Sequence, residues 1–220
     1  MIARPFIDWG WIIEHLDEIR DRIGEHLVLT GIALGVGMAI ALVLALIGLR
    51  FPRTLPPITW AAGTLYTIPS LALFAFLVPI TGFTILTAEI GLVSYTLLIL
   101  IRNIIAGIQG IDPAVTEAAL GMGYGRRRMF SEIELPLALP VILAGVRIAA
   151  VTTVGLVTVT ALIGQGGVGF FILRGLSRFD DSTEIVLGTA LSVLLAMTLD
   201  TVLVGVERVL TPWSRRRSAA

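Results

Sequence analysis

The reactive inventory of this chain is short, and its gaps exclude whole classes of chemistry. All sixteen basic residues are arginine. Without lysine there is neither a P-loop lysine nor Schiff-base chemistry. Without cysteine there is no disulfide or thiolate metal site, and two histidines, His15 and His26, do not make a metal centre. A formal net charge of zero gives a nucleic-acid partner no electrostatic support. What remains is of two kinds. Arg102, Arg147 and Asp200 stand inside apolar runs, where ionisable groups are costly and are functional candidates for that reason. A concentrated polar stretch, residues 112–136, surrounds Glu117 and can be gripped by another protein.

The elements that position these groups follow from hydropathy. Hydrophobic residues make up 56% of the 220-residue chain, mean hydropathy is +0.93, and only 15% of residues are charged. A soluble globular chain carries about 25% charged residues. Apolar runs of about 20 residues match a bilayer core about 30 Å thick. The expectation is an all-α, polytopic integral membrane protein with about five transmembrane helices, over residues 27–49, 58–78, 85–108, 137–163 and 185–210. These form one membrane domain over 27–211. Residues 1–26 read as an amphipathic segment lying on the membrane lipid, with Ile12, Leu16, Ile19 and Ile23 at helical spacing. No signal peptide is visible, and residues 212–220 form a basic tail with Arg215, Arg216 and Arg217.

Within the spans, Arg147 and Asp200 both fall about 15 Å from the end that carries the polar stretch, and Arg102 falls at about 9 Å. An ion pair between Arg147 and Asp200, with Arg102 nearby, is expected to lock helix packing there. Pro69 interrupts the second span, so Pro69, Ser70 and Thr153 are candidates for lining a polar pathway. Glu89 reads as a boundary residue. The connection over 164–183 is glycine-rich, and Gly166 and Gly167 are candidates for a turn or a gate. Gly164, Gly166 and Gly169 also satisfy the dinucleotide spacing, but not between a strand and a helix, so nucleotide binding is rejected.

The polar stretch itself reads as two short helices. Asp112 suits an N-cap and Pro113 the first helical position. Gly123 and Gly125 end the first helix, and residues 126–135 form the second. Val115, Ala118, Ala119 and Met122 share one small apolar face. Glu117-Ala118-Ala119, then Gly123, then Ile133 and Leu135-Pro136 have the spacing of the EAA loop of binding-protein-dependent ABC-importer permeases, and the chain resembles that family from the first span to the fifth. The segments around Thr67–Leu73 and Ala161–Gly169, with Ala144-Gly145-Val146-Arg147, look most like the osmoprotectant permeases for glycine betaine, carnitine or choline. Gln165 departs from the small residue common there.

The resemblance implies a type I importer fold and a transport subunit without enzymatic activity of its own. It implies coupling helices at 112–136 that dock on an ABC ATP-binding subunit through Glu117, Ala118, Ala119, Met122 and Gly123. ATP would be held and hydrolysed by that partner, with no cofactor or metal on this chain. An extracytoplasmic solute-binding protein and a second permease copy, the same or related, complete the expected assembly in the bacterial cytoplasmic membrane. The alternative cargo is methionine or another amino acid. Eight arginines on the loop side against five on the other favour the N-terminus outside and the C-terminus in the cytoplasm.

Overall fold

The computed structural model describes residues 6–178 and 182–213, so Arg215, Arg216 and Arg217 of the basic tail lie outside the described residues. Every regular element among them is helical. In chain order these are α1 (Trp9–Glu14), α2 (Leu16–Arg50), α3 (Leu55–Thr67), α4 (Ser70–Thr81), α5 (Ile85–Gln109), α6 (Pro113–Gly121), α7 (Arg126–Met129), α8 (Leu135–Val159), α9 (Gly169–Arg178) and α10 (Ser182–Leu210). Four helical stretches are long and apolar enough to cross a membrane, and the bent pair α3–α4 gives a fifth.

Helix α5 is the centre of the bundle. Leu29 and Ala33 of α2 share an apolar cluster with Ala88 and Leu92 of α5. Farther along both chains, Ala41 and Ala45 meet Leu98, Ile101 and Ile105. The two helices therefore run parallel. Helix α8 runs the other way, because Gly145 packs on Asn103 while Gly107 packs on Ala138. The Gly107 contact leaves no room for a side chain: a Cβ there would meet the carbonyl of Ala138 at 2.9 Å. Small residues thus set the distance between these membrane helices. Helix α10 is the most open, with Val193, Leu194, Met197, Val202 and Val209 exposed along it.

Two expectations about elements need correction. The N-terminal segment is not a separate amphipathic unit ending at residue 26. A short α1 turns at His15, and α2 then continues unbroken from Leu16 through the first span to Arg50. Acidic residues in the first turn of α2, Asp17 and Glu18, favour a helix start there, and no proline or glycine-rich break separates them from the apolar run. The second span is likewise not one rod. Helices of 13 and 12 residues meet at 96° around Ile68 and Pro69, both extended. At 1.5 Å per residue each is only about 20 Å long, so neither crosses alone. The Tyr95 hydroxyl donates to the carbonyl of Ile68 at the break, which satisfies backbone that lipid cannot.

Candidate functional site

The stretch over 112–136 is built as its sequence dictates at the front and differently at the back. The Asp112 carboxylate accepts the backbone N–H of Ala114 at 2.9 Å, and Pro113 opens α6. The helix closes with Met122 N–H donating to Ala118 O and Tyr124 N–H donating to Ala119 O, each at 3.1 Å. Gly123 takes φ +83°, the left-handed region that a side chain resists, and the chain turns there. The expected second helix over 126–135 is not free-standing. Four residues of α7 pass into a π-helical turn, Phe130–Glu134, that runs straight into α8. Pro136 cannot donate to the carbonyl four residues before it, and widening the turn ahead of it accommodates that loss. Arg128 closes the unit by donating from Nε to both Glu132 oxygens at 3.0 Å while its guanidinium stands over the Tyr124 ring.

What this unit presents is specific. Glu117 is exposed and makes no hydrogen bond to any described residue. Val115, Ala118 and Met122 are exposed beside it, as is Leu120. Ala119 departs from the expected face. It is 1% exposed, turned into the chain because it sits at the position where α6 folds back on its own turn. Beside the unit lies a cleft of about 740 Å³, lined by Arg50, Ile108, Arg126, Arg127, Met129 and Glu134 among others.

Toward the middle of the bundle, Arg147 on α8 faces α10. Its Nε and Nη2 donate to the two Asp200 oxygens at 2.8 and 3.1 Å, and its Nη1 donates to Glu207 at 3.3 Å. Glu207 was absent from the sequence reading of this pair. It lies seven residues after Asp200, two turns along the same face, and that spacing is the signal that identifies it. Arg102 does not join the group: it is exposed and forms no ion pair among the described residues, because its position on α5 points away from the packed faces.

The candidates for a pathway separate in the same way. Pro69 is exposed and Ser70 half-buried at the α3–α4 break. Thr153 is 1% exposed, and its hydroxyl donates to Ala149 on its own helix, so within this chain it is a packing residue and not an open lining group. Gly166 and Gly167 are also buried, at φ +138° and +49°. A Cβ on Gly167 would meet the Arg22 carbonyl at 2.8 Å and His26 Cβ at 2.5 Å. These glycines form a tightly packed turn, Gly166 against Ala161 and Gly167 over α2.

The rest of the 164–183 connection is equally ordered among its described residues. Helix α9 carries Arg174, which donates to Glu18 at 2.9 Å and to Glu184, while Arg178 donates to Glu184 at 3.2 Å. Glu184 is fully buried. The rings of Trp11, Phe170 and Phe171 surround the Arg174 guanidinium within 5.4 Å. Burial disfavours that charge, but the hydrogen bonds it donates to Glu184 and Glu18, with the attraction of the two carboxylates, outweigh it and raise the Arg174 pKa above its ordinary value. The Glu25 carboxylate accepts the backbone N–H of Gly166 at 3.1 Å. The short, glycine-rich stretch concealed this helix, since Gly169 and Gly175 lower its propensity while the aromatic and ionic contacts restore it.

A parallel-and-antiparallel helical bundle with a broken second span, and a capped helix–turn unit displayed between the third and fourth, defines a membrane transport subunit. The chain belongs to the binding-protein-dependent transport system inner membrane component family, whose model matches residues 31–216. It is 34% identical to the choline transport system permease protein OpuBB of Bacillus subtilis, covering 91% of this chain and 92% of that one. It is also 34% identical to the osmoprotectant import permease protein OsmW of Salmonella typhimurium, over 86% and 89% of the two chains. A third relative, the carnitine transport permease protein OpuCB of Listeria monocytogenes, is 33% identical over 88% of each. Among solved structures, an inward-facing MetNI methionine ABC transporter aligns with a TM-score of 0.78 at 18% identity, over 90% of this chain and 98% of that one. At that identity the likeness shows the fold alone.

Proposed function

We propose that this chain is the permease subunit of an ATP-driven importer for a quaternary-ammonium osmoprotectant such as choline, carnitine or glycine betaine. The observation that carries the cargo class is the 34% identity to a choline permease along nearly the whole of both chains. The exposed α6 face supports the energy coupling: Glu117 has no partner among the described residues and Met122 is 70% exposed. An ABC ATP-binding subunit receives that face, and ATP is bound and hydrolysed there and not on this chain. The loop then lies in the cytoplasm, with the N-terminus on the other side of the membrane and the C-terminus on the loop side. The open surface of α10 leaves room for membrane lipid and for a second permease copy. Cargo arrives from a solute-binding protein at the far end, where α1, α9 and the start of α10 form the surface.

The test is uptake by proteoliposomes that contain the permease, its ATP-binding subunit and the cognate binding protein. ATP-dependent accumulation of labelled choline, carnitine or glycine betaine is the expected result. Accumulation of methionine or another amino acid with none of these three would replace the cargo assignment and keep the permease.

A further inference from the structure

Among the described residues, four buried side-chain atoms have no hydrogen-bond partner: Nδ1 of His26, Oγ1 of Thr30 and both carboxylate oxygens of Glu89. The register of α2 and α5 brings the last two residues together. Gly37 of α2 packs directly on Thr96 of α5, and the helices run parallel. Thr30 lies seven residues before Gly37, and Glu89 lies seven residues before Thr96. Seven residues are two helical turns, so each lies on the contacting face of its helix, displaced by about 10.5 Å along it. Thr30 therefore stands across the seam from Glu89. His26 is one turn farther on the same face of α2.

The chemistry of this set is short of one thing. His26 Nε2 lies 3.1 Å from the carbonyl of Val154, an acceptor, so Nε2 carries the hydrogen. The ring is fully buried and makes no ion pair, so it is neutral and Nδ1 offers a lone pair. Glu89 as an anion would add two more acceptor oxygens, and the single hydroxyl hydrogen of Thr30 across the seam is bonded to neither. Among the described residues, no positive charge stands on the turns beside it: α2 gives His26 and Thr30, with Arg22 two turns before Thr30 and already paired to Glu25, α3 gives Tyr66 against the Tyr95 ring, α4 has no titratable side chain, and α8 has none between Ile148 and Val159. The Tyr95 hydroxyl on α5 is engaged by Ile68. Arg102 is thirteen residues farther along α5, about 20 Å away. An unpaired carboxylate so placed is expensive. A metal cation is a poor answer, because α2 and α5 are unbroken here and free no backbone carbonyls to complete a shell of oxygen ligands.

We propose that Glu89 is a proton-binding site: it carries its proton while the α2–α5 seam is closed, with Thr30 as the polar group across the seam, and loss of that proton forces the seam apart. Infrared spectroscopy of the permease with its ATP-binding subunit in nanodiscs tests this. The expected result is a carboxylic-acid C=O band at neutral pH that fades as pH rises, and that is missing in Glu89→Gln. Melting temperature should fall with rising pH in the wild type, and Glu89→Gln should lose that slope. A wild-type spectrum with no protonated-acid band assignable to Glu89 would overturn the proposal, as would a carboxylate band that shifts when sodium is replaced by a bulky organic cation. If Glu89→Gln fails to assemble, Glu89→Asp takes its place: a protonated-acid band that moves in this variant supports the proposal, and the absence of any band moved by it overturns the proposal. The outcome is independent of which cargo is imported.

Discussion

Arg147 and Asp200 are joined by two near-parallel hydrogen bonds, of 2.8 and 3.1 Å, across the α8–α10 contact. This is the bidentate geometry in which guanidinium and carboxylate bind best. Each side chain is about a third exposed in the single chain, so the pair stands at an edge of the bundle. Reversing either charge sets like charges side by side at the contact of two membrane-spanning helices, where an unpaired charge is costly. Arg147→Asp and Asp200→Arg should each reduce uptake by about tenfold or more. The double exchange should recover a large part of it. Uptake as low in the double variant as in either single one would show that the pair does not act as a unit.

Glu117 has no partner among the described residues, so its substitution should leave the permease itself intact. Glu117→Lys places a positive charge on the exposed face of α6 and should weaken co-purification with the ATP-binding subunit. Thermal stability of the isolated permease should stay unchanged. Undiminished association would remove α6 as the docking element.

The features legible in the sequence were those carried by long-range composition or by a long motif. Apolar run lengths located the spans, and the spacing from Glu117 to Pro136 located the capped helix–turn unit. Arg147 and Asp200 could be paired because each counts from a helix end with a fixed rise. Less was legible where tertiary contacts decide. Nothing local shows that Ala119 turns inward while Ala118 stays out, or that Thr153 bonds its own helix. Helix α9 was hidden because Gly169 and Gly175 mask a segment that Arg174 and its aromatic neighbours stabilise. Glu89 looked like a boundary residue until the α2–α5 register enclosed it.

Thr153 tests that distinction directly. Its hydroxyl bonds Ala149 O at 2.7 Å, a carbonyl already engaged in the helix ladder, and its side chain is closed off from any opening in this chain. Thr153→Val keeps the shape and removes the hydroxyl. The expected cost is within about 1 kcal/mol of stability, with the cargo KM unchanged. A large rise in KM for cargo would restore Thr153 to the pathway.

Arg174 carries the largest burden at the far end of the molecule. Glu184 is fully buried and Arg174 is its nearer cation, with the half-exposed Arg178 as the other. The same guanidinium reaches Glu18 on α2, so one side chain joins α2, α9 and α10. Arg174→Gln leaves Glu184 with the weaker partner and breaks the link to α2. Removing one partner of a buried ion pair costs about 3–5 kcal/mol, more than an exposed pair contributes. The detergent-solubilised variant should therefore melt well below wild type, and Arg178→Gln should melt close to it. Adding Glu184→Gln to Arg174→Gln should recover part of the loss, since the double variant no longer buries an unpaired charge. If the double variant is no more stable than Arg174→Gln alone, the aromatic contacts of Trp11, Phe170 and Phe171 hold this end together and the ion pair does not.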